Sequence, residues 1–190
     1  MVGRGSLFIY IRQRYPHVRV WINDLNPEVS CFWQSVRDSA SQLVQEIGRF
    51  RRDEHDGRQL LARLKALSPE TLPPVSRAAR FFILNRIGFS GTVECGGYSE
   101  QPFRERLTDT AINRLMLATP LLPTVRITSP DGSTLLTNGD RNVFTFPDPP
   151  CLKATPSRLY RKKAFSIPPA ITSVRLVICN SAPIGECPYW

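Results

Sequence analysis

Residues 3–28 read GRGSLFIYIRQRYPHVRVWINDLNPE, and the order of elements in this stretch decides the fold. Ser6 is placed to cap a helix in which Leu7, Phe8, Ile11 and Tyr15 recur near helical spacing until Pro16 stops it. Val18, Val20 and Ile22 then alternate with Arg19 and Trp21, the period-two pattern of a strand, which ends at Asn23-Asp24. Pro27 and Glu28 suit the first turn of another helix. A proline there gives up only an N–H that has no partner, and a carboxylate faces the positive end of the helix dipole. Helix, strand and helix, with glycines in front and an acid at the strand end, make the opening of an α/β unit.

Working outward, the helix from Pro27 extends to about Phe50, and the charged stretch Arg49 to Gly57 reads as a solvated turn. Leu60, Leu61, Leu64 and Leu67 mark a helix closed by Ser68-Pro69, and Pro73-Pro74 reads as a linker. Ala78, Phe81, Phe82 and Ile83 through Ile87 predict a buried helix, after which Gly88, Gly91, Gly96 and Gly97 break regular structure. A helix over Leu107–Leu117 follows. Strands are expected at Val125–Thr128 and Val143–Phe146, separated by Asp131-Gly132 and Asn138-Gly139 turns. The pattern predicts an α/β core carrying a mostly helical insertion, with segments at 1–37 (core), 38–121 (insertion), 122–165 (core) and 166–190 (a divergent tail). No internal repeat is present.

The 190 residues suffice for one ordinary domain with its own core, and 42% hydrophobic with 22% charged residues is a globular balance. No run of eighteen apolar residues predicts a membrane span. Arg4, Arg12, Arg14 and Arg19 are spread through the first twenty residues rather than clustered ahead of an apolar stretch, so no signal peptide is expected. With 25 Lys and Arg against 16 Asp and Glu, the formal charge is +9, which favours a polyanionic partner, most simply nucleic acid; a basic domain without such a partner stays open. Five cysteines, with no Cys-x-x-Cys pair, make neither a disulfide framework nor a zinc site, and two histidines argue against histidine-based metal chemistry. Reduced thiols in a cytoplasm fit this pattern.

Four constellations can carry chemistry. Gly3-Arg4-Gly5-Ser6 precedes the first helix, and Asp24 ends the next strand. Glycines there let backbone approach a nucleoside closely, and an acid at that strand end can accept both ribose hydroxyls; a loose terminus is the competing reading. Asp148-Pro149-Pro150 follows the strand at 143–146. Two prolines fix the backbone, so that the Asp148 carboxylate and the Pro149 carbonyl are held as paired acceptors for the exocyclic amine of a flipped-out base. Taken alone, the tripeptide reads more readily as a plain proline-rich turn. In Leu84-Asn85-Arg86-Ile87-Gly88-Phe89-Ser90-Gly91 the arginine is placed either against a phosphate or at an ordinary helix end with a packed phenylalanine. Arg158, Arg161, Lys162 and Lys163, with Tyr160 among them, form a basic cluster that either tracks a DNA backbone or is a solvated face.

In this order the segments resemble one family, the bacterial and phage DNA adenine methylases. Its signature is a Phe-x-Gly-x-Gly loop, an acidic strand end, a target-recognition insertion and Asp-Pro-Pro-Tyr. Val2-Gly3-Arg4-Gly5-Ser6 matches the tail of the first element and Ile22-Asn23-Asp24-Leu25-Asn26 the second. Residues 82–91 look like the family's Leu-Asn-Arg segment, residues 144–150 match the last element, and Ala154-Thr155-Pro156-Ser157-Arg158-Leu159-Tyr160 is similar to one branch. The similarity covers about residues 2–165.

The resemblance implies a Rossmann-like S-adenosylmethionine methyltransferase sheet, incomplete at both ends, with a mostly helical DNA-recognition insertion. It implies transfer of methyl from S-adenosylmethionine to the 6-amino group of adenine in double-stranded DNA. Gly3, Gly5, Asp24 and Asp148 would line the cofactor site, Asp148 and the Pro149 carbonyl would hold the target amine, and Pro150, Cys151 and Arg86 would meet the DNA. Three departures predict an impaired enzyme, a non-catalytic DNA-binding remnant or an unstable gene fragment. The family begins with a strand and a lysine-containing segment ahead of the glycine loop, whereas this sequence opens inside the loop, so the central strand is expected to be absent. Cys151 stands where the family has a base-stacking aromatic, and Pro147 stands where an apolar strand residue is expected. The tail from Ser166 to Trp190 does not follow the family.

Overall fold

A computed structural model describes residues 5–88, 98–130, 143–147 and 175–180. The chain is a mixed α/β protein, mostly helical, with one small sheet. It groups into two compact units, one within Met1–Asn26 and Thr124–Trp190, the other Pro27–Pro123.

Among the described residues the first unit holds α1 (Ser6–Arg14) and four strands, β1 (Arg19–Asp24), β2 (Arg126–Thr128), β3 (Val143–Pro147) and β4 (Arg175–Asn180). The sheet order is β2-β1-β4-β3 and every pairing is parallel. Parallel neighbours need long crossovers, which is why β1 and β2 can be separated by the whole helical unit. Val18, Val20 and Ile22 are buried, as are Phe8 and Ile11 of α1. Arg12 donates to the carbonyls of Pro16 and Val18, fixing the turn between α1 and β1. The α1 cap differs from expectation. Gly5, not Ser6, is the N-cap, with φ 74° and ψ 4°, and its carbonyl accepts from the Ile9 N–H at 3.0 Å. A left-handed cap suits glycine because a Cβ would be strained there.

Two features of the sheet depart from the sequence reading. The stretch read as a divergent tail supplies β4, which pairs with β1 on one side and β3 on the other. Pro147 is the last residue of β3. Among the described strands β3 stands at the edge of the sheet, and only one side of an edge strand joins a ladder, so a proline is tolerated there.

The second unit contains α2 (Pro27–Asp38), α3 (Ala40–Asp53), α4 (Gly57–Ala66), α5 (Pro74–Ile87), α6 (Glu100–Arg106) and α7 (Asp109–Ala118). The single helix expected from Pro27 to Phe50 is two, broken at Ser39 with φ −148° and ψ 34°. Of the charged turn expected over Arg49 to Gly57, residues 49–53 are instead the last turn of α3, where Arg49 bridges Glu46 at 2.7 Å and Asp53 at 3.2 Å along one face, while residues 54–56 do form a non-helical connection to α4. Pro74 opens α5 rather than lying in a linker. The helix expected over 107–117 begins after Leu107, with Thr108 accepting from the Ala111 N–H at 3.2 Å as its cap.

α5 runs through the interior, with Ala78, Ala79, Phe81, Phe82, Ile83, Leu84 and Ile87 buried. Phe32 of α2 meets Trp33, Phe81 and Phe82 at ring distances of 5.0, 5.6 and 6.0 Å. Two charges enter this interior with partners. The Arg77 Nε donates to Glu28 at 2.6 Å, which holds the guanidinium more firmly charged, and the Arg80 Nε donates to the Leu64 carbonyl at 2.8 Å. Among the described residues no helix is long and apolar enough to cross a membrane.

Asp56 caps α4, accepting from the N–H groups of Arg58 at 2.7 Å and Gln59 at 3.0 Å. Asp56→Ala is expected to lower stability by about 1 kcal/mol, the usual worth of such a cap. Urea unfolding measures it, and a change below about 0.3 kcal/mol would contradict the capping role.

Candidate cofactor site at the carboxyl edge of the sheet

The site begins at the end of β1, where burial and polarity coincide. Asn23 and Asp24 are 1% and 3% exposed, although both are polar. The Asp24 Oδ1 accepts the Asn26 N–H at 3.0 Å, an Asx turn that lets the chain leave the strand sharply before α2. This turn fixes the carboxylate at the carboxyl edge of a parallel sheet, where open α/β sheets take their ligands.

Asn23 is held by a relay of hydrogen bonds that the sequence reading did not anticipate. The Trp21 Nε1 donates to the Thr128 hydroxyl at 2.7 Å, and that hydroxyl donates to the Asn23 Oδ1 at 2.8 Å. The Asn23 Nδ2 donates to the Pro130 carbonyl at 2.9 Å. The relay ties the ends of β1 and β2 together immediately beside Asp24. The Arg126 guanidinium lies over the Trp21 ring at 4.1 Å and covers its outer face. The signal available in the sequence was a polar Asn23 at a strand position expected to be apolar.

Gly5 and Asp24 belong to the same compact unit. Gly5 is buried and left-handed at the head of α1. The short connection from α1 to β1 reverses the chain, so the helix head and the end of β1 lie toward the same edge of the sheet. A buried acid at a strand end and a side-chain-free helix head suit a nucleoside: the acid accepts ribose hydroxyls, and the bare backbone permits close approach.

Arg86 lies in the other unit, near the end of α5, where its guanidinium sits over the Phe82 ring at 5.0 Å. Gly3, Asp148, Pro149, Pro150 and Cys151, and the basic cluster Arg158, Arg161, Lys162 and Lys163, lie outside the described residues. β3 ends at Pro147, so Asp148 directly follows an edge strand of the same sheet.

Comparison with curated proteins gives no match. A family model does match, over residues 2–174, and spans the glycine segment, β1, the helical unit, β2, β3 and Asp148-Pro149-Pro150. By that match the chain belongs to the D12 class N6 adenine-specific DNA methyltransferase family.

Proposed function

We propose that this chain binds S-adenosylmethionine at the carboxyl edge of its sheet and transfers the methyl group to the 6-amino group of adenine in double-stranded DNA. The parallel strands support a Rossmann-like arrangement, with residues 38–121, within the helical unit, as a DNA-recognition insertion between β1 and β2. The observation that carries the reading is the buried, turn-fixed Asp24 at the end of β1, within the family match.

In this reading Asp24 accepts the ribose hydroxyls, and Gly3 and Gly5 give room for the donor. When bound, the donor supplies an electrophilic sulfonium methyl. The protein's work is positioning. The Asp148 carboxylate and the Pro149 carbonyl accept the two hydrogens of the flipped adenine's amine, which turns the nitrogen lone pair toward the methyl in line. Pro149 and Pro150 restrict the backbone that presents these acceptors. Arg86 and Cys151 are assigned to DNA contact, and a cytoplasmic setting suits free thiols and a DNA substrate. A net charge of +9 supports the encounter with DNA phosphates.

The departure at Cys151 favours a second reading, a DNA-binding protein without turnover, because a thiol offers no face on which an extrahelical base can stack. Transfer of radiolabelled methyl to DNA separates the two. For the cofactor, Asp24→Ala is expected to weaken S-adenosylmethionine binding at least tenfold by calorimetry, since two charge-assisted hydrogen bonds are lost. Unchanged affinity in that variant removes Asp24 from the site.

A further inference from the structure

We propose that the amino edge of the sheet, at Arg19 and Arg126, is a second DNA-binding surface, which grips backbone phosphates of duplex other than the stretch at the carboxyl edge; this rests on DNA as the partner and not on the cofactor reading.

The charges of the first unit are divided between the two edges of its sheet. The described residues of that unit include five arginines, Arg12, Arg14, Arg19, Arg126 and Arg175, against one acid, Asp24. Asp24 is buried at the end of β1. Arg14 and His17 are exposed just ahead of β1, and the exposed Arg19 and Arg126 open β1 and β2. Among the described residues no acid pairs with Arg14, Arg19 or Arg126. A rise of about 3.3 Å per residue separates Arg19 from Asp24 by about 17 Å, so phosphates gripped here lie well away from the reacting edge.

Arg126 is held ready for an anion. It is the register partner of Trp21, and its guanidinium lies over the Trp21 ring at 4.1 Å. The ring is itself pinned, because its Nε1 donates to the Thr128 hydroxyl at 2.7 Å. A guanidinium lying flat on a ring gives up rotamer freedom in advance. It still presents an N–H edge, whose fork matches two oxygens of a phosphate. Arg19 stands two residues before Trp21 in the same strand and so on the same face, one diagonal step from Arg126. Cations grouped on one face without acids are the footprint that a phosphate backbone takes. Phe144, the exposed apolar side chain of β3, lies on the other face, since Thr145 is level with Trp21 through Val177. Among the described residues the strand face of Arg19 and Arg126 therefore has no exposed large apolar side chain to anchor in a lipid surface. DNA is the polyanion on which the family acts.

Fluorescence anisotropy of the full chain with a labelled duplex of G·C pairs alone, which offers no adenine, tests this surface over a salt series. Arg19→Gln combined with Arg126→Gln is expected to bind about tenfold more weakly at low salt. Its slope of log affinity against log salt should fall by about 1.8, since each lost phosphate contact removes about 0.9. Arg126→Lys keeps the charge and loses the planar fork, and it is expected to bind severalfold more weakly with the slope unchanged. All these changes are at exposed positions, and urea midpoints check that each variant is folded. A double variant with the parent's affinity and slope overturns the proposal and leaves DNA binding to the helical unit. Arg126→Lys binding as tightly as the parent overturns the stacked-arginine site. Phosphatidylserine vesicles bound as tightly as the duplex, and released by the same double variant, overturn DNA as the occupant. No binding of the duplex by the parent at low salt refutes this surface and the DNA reading together.

Discussion

Asp148→Ala is expected to abolish methyl transfer, and Cys151→Tyr to raise it tenfold or more. In the proposed mechanism Asp148 does two things at once, accepting a hydrogen of the target amine and lining the donor's site, so on that reading its removal leaves neither reactant held. The alanine variant should lose at least a thousandfold, the scale on which lost positioning and a lost electrostatic contact combine. The expected gain at position 151 has a different origin. A base drawn out of the duplex leaves its stacking neighbours, and an aromatic face returns about 1–3 kcal/mol per base. A thiol has too little area to replace that contact. Since about 1.4 kcal/mol is a factor of ten, tyrosine should restore about that much. Single-turnover assays on DNA carrying many adenine sites measure both changes. Equal rates for Cys151 and Cys151→Tyr would show that the base is held by something other than stacking here. Donor binding without turnover in either form would support the DNA-binding reading.

The second large effect is on stability. Phe32→Ala is expected to lower stability by about 3–5 kcal/mol, a large share of the roughly 5–15 kcal/mol that holds a domain folded. Phe32 is 6% exposed and touches three aromatic rings, two of them on α5. Removing it deletes the apolar transfer contribution, opens a cavity between α2 and α5, and strips the edge and stacked contacts of its neighbours. Urea unfolding followed by near-ultraviolet circular dichroism reads the loss. A cost below about 1 kcal/mol would mean that α2 and α5 close over the vacancy, and that the aromatic cluster is less essential than its geometry indicates. Phe32→Leu, which keeps most of the volume, should cost appreciably less.

The strands and helices that were legible in the sequence are those with one buried face. β1 showed itself through the alternation of Val18, Val20 and Ile22 with Arg19 and Trp21, and α5 through its apolar run ending at Gly88. The break between α2 and α3 was hidden because the apolar spacing continues across it; Asp38-Ser39, residues that compete for backbone hydrogen bonds, was the local signal. β4 was illegible for the opposite reason. Leu176-Val177-Ile178-Cys179 is a continuous apolar run without alternation, and a short run of that kind does not distinguish a strand from a buried helix segment. Within the site, Asp24 was found from its place after an alternating strand. The partners of Asn23 could not be, since Thr128 and Pro130 are remote in the chain and meet it only when β1 and β2 pair. Arg86 illustrates a choice between two readings of one residue. Beside Phe82 one helical turn earlier, it covers an aromatic face whether or not it also meets a phosphate.

The order β2-β1-β4-β3 also bears on how the protein is made. β1 is the first strand to leave the ribosome and β4 the last of the four, yet they are partners from Arg19↔Arg175 to Asp24↔Asn180. During synthesis, α2 to α7 can pack with neighbours close in the chain, and such local contacts form quickly. β1 waits through all of it without its inner partner, and β3 emerges with nothing yet beside it. β1 can pair with β2 once β2 has emerged, but β1 and β3 are joined only when β4 inserts between them. Until then the unpaired backbones of β1 and β3 are open to other chains, a hazard that grows with expression rate and is relieved by slower translation or a chaperone.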